Sequence, residues 1–201
     1  MTKKIAFLIV AAGSSSRLGI HKQLIALNEE TLLQKSINLA KKIAEVDPFL
    51  VLGAYMDEIA EQIDCDGVKV IFNQDWTAGM GKSISVGVHK IQQGKYAGII
   101  ISVADQPFLN QNIIRAILSK VDFNRDQIIV SKYDVGSGPP TFFHHSYFSE
   151  LMALGGDIGA KPIVKKYINR VEYIAFEKGS FDIDTKEDLN KIEFIEKYHN
   201  K

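Results

Sequence analysis

Short unbroken apolar runs alternate along most of the chain with segments whose apolar positions recur every three or four residues. Residues 4–10 (KIAFLIV), 49–54 (FLVLGA), 68–73 (VKVIFN), 97–104 (AGIIISVA) and 127–132 (QIIVSK) are of the first kind. Such runs predict strands covered on both faces, as in a parallel sheet. The second kind predicts amphipathic helices. Residues 31–45 place Leu33, Ile37, Ala40 and Ala44 on one stripe, and residues 83–92 do the same with Ile84, Val88 and Ile91. Residues 111–120 add Ile113, Ile114, Ile117 and Leu118. This alternation predicts an α/β fold: a doubly wound, mostly parallel sheet with helices on both faces.

The pattern loosens after about residue 133. GSGPP at 136–140 reads as a loop, followed by FFHHSYF and two short helices, the second starting near Asp157 as N-cap. Two strands follow, VEYIAF at 171–176 and SFDID at 180–184, and then a last helix over about 186–198. Thr185 with Asp188 three positions on resembles a capping box. No linker-like stretch intervenes, so residues 1–201 are expected to form a single domain in which 134–201 complete the sheet and wall its cleft.

Composition narrows the function. Lys plus Arg and Asp plus Glu both number 24, a formal net charge of zero. That excludes a nucleic-acid binder relying on an overall basic field. The single cysteine, Cys65, excludes an internal disulfide framework and suits a reducing compartment. No apolar stretch approaches the roughly 18 to 20 residues of a membrane span. The run Ile5–Ala12 behind Lys3 and Lys4 has the outline of a secretory signal. Removing it would also remove the strand that aims the loop behind it, so the expectation is a cytoplasmic protein.

Ligands of open α/β sheets bind beyond the carboxyl ends of strands, and four turns there carry candidate chemistry. The first, AAGSSSRLGIHK, misses both the P-loop and the GxGxxG spacing. It remains a loop of small residues able to turn amides toward an anion, with Arg17 and Lys22 as cations, or else a solvated β–α loop. The second, SVADQPF, ends a strand in Asp105, a Mg2+ ligand beside substrate phosphates or a turn aspartate before Pro107. The third, SFDIDT, puts Asp182 and Asp184 on one face of a strand, for a second metal ligand or a helix start. The fourth, NQDWTAGMGKSISVGV, offers glycines for close approach to a base or phosphate, or simply for a turn. The histidines lack metal spacing: His144 and His145, being adjacent, are expected to diverge.

Jointly, these motifs resemble the MobA-like nucleotidyltransferases, and within them the molybdenum cofactor cytidylyltransferases. The elements that carry the resemblance are LIVAAGSSSRLGIHKQL (8–24), NQDWTAGMGKSISVG (73–87), VADQPF (103–108), GPPTFF (138–143), LGGDIGAK (154–161) and FDIDTKEDL (181–189). The resemblance implies a Rossmann-like fold with a nucleotide-binding half over about 1–133 and an acceptor-binding half over about 134–201. It implies Mg2+-dependent transfer of CMP from CTP to the phosphate of molybdopterin, with pyrophosphate leaving. Ala11, Ala12, Gly13, Ser14, Lys22, Gly79, Ser83 and Gly87 would bind the nucleotide, and Arg17, Lys22 and Asp105 would act in catalysis. Asp105 with Asp184 or Asp182 would hold the metal, and Gly138, Pro140 and Asp157 would face the acceptor. The implied recipient of the product is an apo-molybdenum hydroxylase of the xanthine dehydrogenase type. Ala-Ala-Gly at 11–13 favours CTP, whereas His21 and Lys161 stand where the family usually carries proline and arginine, and a glutamate near position 30, in ALNEETLL, replaces a usual glycine. Two alternatives stay open: a cytidylyltransferase for a sugar- or polyol-phosphate, and a non-catalytic cofactor carrier.

Overall fold

A computed structural model describes residues 3–14, 21–27, 29–183 and 188. The first apolar run forms strand β1 (Ile5–Ala11), buried along nearly its whole length. Successive side chains of a strand face opposite ways, and here both faces are covered. Phe7, Ile9 and Ala11 enter one core, while Ala6, Leu8 and Val10 enter the other. Burying each large side chain contributes about 1.5–3 kcal/mol, so a strand with two apolar faces has no polar side to leave in water.

The expected strands recur as β4 (Phe49–Leu52), β5 (Lys69–Phe72), β6 (Gly98–Val103), β7 (Ile128–Lys132) and β9 (Val171–Ala175). Among the described residues they join β1 and β8 (Ser137–His144) in a seven-stranded sheet of order β5-β4-β1-β6-β8-β7-β9. β1 pairs in parallel with β4 on one side and β6 on the other. The chain winds first toward β5 and then returns past β1, which places the switch point between β1 and β6. A small ladder, β2 (Ala26–Leu27) with β3 (Glu30–Thr31), lies outside the main sheet.

Helices cover both faces. α1 (Leu32–Ile43) buries Leu33, Ile37 and Ala40 as its spacing predicts, and Thr31 caps it by accepting from the Gln34 amide. It shares its core with α2 (Met56–Ala60), absent from the pattern-based reading, and α4 (Gln111–Ser119), which Asn110 caps. α3 (Met80–Ile91), α5 (Phe148–Met152) and α6 (Lys161–Lys166) lie in the opposite core.

Three sequence expectations are corrected. Residues 136–140 are not a plain loop, because β8 begins at Ser137 and runs antiparallel between β6 and β7. Its prolines fall where the register shifts, since Val130 faces Thr141 but Ser131 already faces Gly138. Proline cannot donate to a ladder and is tolerated at such an interruption. The described part of SFDID forms no strand. Ile183 is buried with Ile25, Leu27 and Leu32 in a separate small core, with Phe181 packed against it, so the alternation is real but has no neighbouring strand among the described residues. Asp157 is not an N-cap: α6 starts four residues later, after Ala160. Thr185 and the expected last helix, Asp188 apart, lie outside the described residues. Within the sheet the middle position belongs to β6, with β1 beside it.

Candidate active site

At the switch point a cleft of about 510 Å³ opens beyond the carboxyl ends of β1 and β6. Its first wall is the turn after β1. Gln23 is buried and donates its side-chain amide to the carbonyls of Ala11 (3.0 Å) and Gly13 (2.7 Å), while the Ala12 carbonyl accepts from the Ala54 amide (3.1 Å). In a trans peptide the N–H points opposite the C=O. Fixing these three carbonyls fixes the N–H groups of Ala12, Gly13 and Ser14 as well, and all three residues line the cleft. Space for a Cβ at Gly13 is open. Gln23 is a functional residue that the spacing of motifs does not mark, since its role as a brace exists only once the loop folds back on it.

Asp105 closes the second wall. One carboxylate oxygen, Oδ2, lies 2.8 Å from the Lys22 ammonium nitrogen. The other, Oδ1, is buried and has no hydrogen-bond partner among the described residues. A buried carboxylate oxygen without a donor is costly, and a hard cation is the group that such an oxygen takes. The donor set therefore fits a divalent metal whose remaining ligands come from elsewhere. Among the described residues no cluster of three or more His, Cys, Asp or Glu forms a cage by itself. Mg2+ sites commonly use one or two carboxylates completed by substrate phosphates and water. Asp182 is exposed and its charge, like that of Asp105, reaches Tyr133. Burial holds the Tyr133 hydroxyl far above its usual range; a hydrogen bond from Gln106 opposes the shift, and the two carboxylates add to it. Arg17 and Asp184 lie outside the described residues.

The third wall joins two glycine-rich segments. At Gly79, with φ +94°, a Cβ would come within 2.3 Å of Asp157 Oδ1 and 2.5 Å of the Gly156 backbone. At Gly81 it would meet the Gly155 carbonyl at 2.5 Å, and the Gly81 amide bonds the Gly156 carbonyl at 2.8 Å. Backbone against backbone is possible only without side chains. This contact carries Asp157 into the same cleft as Gly79 and Ser83. Ser83 accepts from buried Asn73 (3.0 Å). Gly87 does not reach the cleft: its Cβ would strike Leu8 at 2.7 Å, so it serves the packing of α3 on β1. Trp76, Thr77 and Met80 line the cleft without having been assigned a role from sequence.

A second cavity of about 300 Å³ adjoins the first, sharing Val10, Met80 and Val103. Its walls are mainly apolar, with Lys161 and Lys165 among them and the exposed side chains of Ile158 and Ile168 at its edge. Gly138 lines it, whereas Pro140 is buried outside the lining and its carbonyl accepts from Ser131 (2.7 Å). No helix among the described residues is long and apolar enough to cross a membrane.

Residues 7–171 match the family described as the MobA-like NTP transferase domain. The chain is similar to the purine catabolism protein PucB of Bacillus subtilis, 27% identical over 194 residues that span 91% of this chain and 93% of PucB. Rv0371c of Mycobacterium tuberculosis superposes with a TM-score of 0.84 at 28% identity, covering 96% of this chain and 98% of that one. A structure of Rv0371c in complex with manganese superposes with a TM-score of 0.79 at 27% identity, covering 94% and 97%.

Proposed function

The chain belongs to the MobA-like NTP transferase family, and from that premise we propose that it transfers CMP from CTP to the phosphate of molybdopterin, releasing pyrophosphate. The observation that carries this reading is Asp105, at the mouth of the switch-point cleft, with one oxygen on Lys22 and the other buried without a partner. The amides of Ala12, Gly13 and Ser14 cradle the nucleotide phosphates, as turned backbone N–H groups do for anions. Lys22, held at the cleft by Asp105, turns to the triphosphate when it arrives, joined by Arg17. A divalent cation, Mg2+ in this reading, would be held by Asp105 with Asp182 or Asp184 and would supply charge neutralisation for the triphosphate and departing pyrophosphate. The manganese complex of Rv0371c supports such a site. Gly79, Ser83 and Asp157 wall the nucleoside side.

In the transfer an acceptor phosphate oxygen bonds to the α-phosphorus of CTP while the bond to the bridging β-phosphate oxygen breaks. No protein nucleophile is required, since positioning and charge neutralisation carry such displacements. The adjoining apolar cavity takes the acceptor, with Gly138 in its wall and Lys161 and Lys165 for anionic groups. Apolar walls suit a fused-ring body better than a polyol, which favours molybdopterin over a sugar phosphate. A reducing cytoplasm suits the lone thiol, and the recipient in this reading is an apo-molybdenum hydroxylase of the xanthine dehydrogenase type. Purified protein with Mg2+, molybdenum cofactor and CTP or GTP is the test, with pyrophosphate and dinucleotide followed. The cytosine dinucleotide is expected. Turnover only with a polyol phosphate, or binding without turnover, overturns the assignment.

A further inference from the structure

Gln106 is buried, directly follows Asp105, and has no part in the chemistry above. Its amide nitrogen lies 2.7 Å from the Gly179 carbonyl oxygen, 2.9 Å from the Tyr133 hydroxyl and 3.1 Å from the Pro139 carbonyl oxygen. These partners belong to three segments: the turn Glu177–Ser180, the residue after β7, and β8. Two carbonyl partners require the nitrogen end of the amide here, since only that end donates. Tyr133 in turn donates to the Pro139 carbonyl, which closes a four-membered knot. The knot is tight. A Cβ on Gly179 would lie 2.2 Å from the Tyr133 ring, and one on Gly138 would lie 2.8 Å from its hydroxyl.

Asp182 stands two residues beyond the turn that Gln106 holds, and its charge and that of Asp105 both act on Tyr133. The knot thus lies within electrostatic reach of both carboxylates that the proposed site would use. Gln106 Oε1, like Asp105 Oδ1, is buried without a partner among the described residues. The large majority of buried side-chain polar atoms have a partner, so an orphan oxygen on each of two adjacent residues marks this turn.

We propose that Gln106 is a positioning residue: it fixes the segment carrying Asp182 relative to Asp105, so that cation affinity depends on this one amide. The inference rests on the cation reading of Asp105. Titration of Mn2+ alone into the full chain, followed calorimetrically beside thermal denaturation, tests it. Gln106→Leu is expected to bind Mn2+ about 10- to 100-fold more weakly, the range for lost support of a metal ligand. Gly179→Ala, which pushes the turn off Tyr133 and leaves Gln106 and Asp105 intact, is expected to weaken binding in the same direction. Tyr133→Phe, losing one leg of the knot, is expected to do so less. A folded Gln106→Leu with wild-type Mn2+ affinity overturns the inference, even if its Tm falls, because loop fastening alone predicts that result. Should Gln106→Leu fail to fold, Gly179→Ala decides by the same criterion. Wild-type protein that binds no Mn2+ removes the cation site itself, an outcome distinct from unchanged variants.

Discussion

Two Asp-Gln pairs sit at opposite ends of the same sheet and are wired differently. Asp105-Gln106 follows the carboxyl end of β6, and Asp126-Gln127 precedes the amino end of β7. Gln127 is buried and satisfied at both ends: its nitrogen donates to the Lys120 carbonyl and its oxygen accepts from the Asp122 amide. Asp126 takes His144 on one oxygen (3.2 Å) and Arg170 on the other (2.9 Å). At the β6 end each residue of the pair keeps a buried oxygen that no described residue serves, beside a cleft of about 510 Å³. A carboxylate whose oxygens are both taken by protein groups holds structure. One left open at a cleft is poised for a ligand.

The comparison predicts its own largest contrast. Asp105→Ala is expected to lower turnover by on the order of 10²- to 10³-fold, as loss of a single electrostatic contact in an active site does, with little change in Tm. Asp126→Ala is expected to leave turnover intact and lower Tm. Steady-state rates with denaturation curves on both variants check the pair, and equal losses of turnover would break the distinction. Next in size is Lys22→Met, expected to reduce kcat/KM by roughly 10- to 150-fold, the equivalent of about 1.5–3 kcal/mol for a lost charged hydrogen bond. The same change relieves Asp105 of its ammonium partner, so Mn2+ alone should bind more tightly. Weaker Mn2+ binding in that variant would mean that Lys22 supports the cation site.

Smaller effects fall on the structural end. Gln127→Leu leaves the Asp122 amide without its acceptor and is expected to cost about 1–3 kcal/mol of stability, with Mn2+ affinity unchanged in calorimetry. Burial holds His144 below its usual 6.5, with His145 adding to the shift and Asp126 opposing it. The unfolded chain then binds a proton that the folded chain resists, so this stability is whole above 6.5 and is lost as pH falls through the folded value. A Tm that declines on acidification below 6.5, with a shallower decline in His144→Asn, is the expected result. Identical pH profiles would remove His144 from that role.

Much of the fold was legible because two-faced burial writes itself as unbroken apolar runs, as in FLIV of β1 and GIIISV of β6. The site was legible where chemistry demands a residue type: Asp105, Lys22 and the small residues 11–14 all line one cleft. β8 was not, because its Gly-Pro-Pro start reads as a loop and only pairing with β7 across a register shift makes it a strand. Gly87 shows the converse. It sits in a motif, yet Leu8 beneath it accounts for it as packing. His144 and His145, expected to diverge, have ring centroids 4.1 Å apart, because β8 ends between them and the chain turns.

The sequence by itself determined the doubly wound sheet, its helices on both faces and the loop and aspartate at its switch point, since periodicity and strand-end position are local properties. Only the tertiary structure decided which of two Asp-Gln pairs was left open. It also brought Asp157 to Gly79 and tied Gln106 to a turn more than 70 residues away. The physical reason is that satisfaction of a buried polar atom depends on what folds against it, and no spacing along the chain records that.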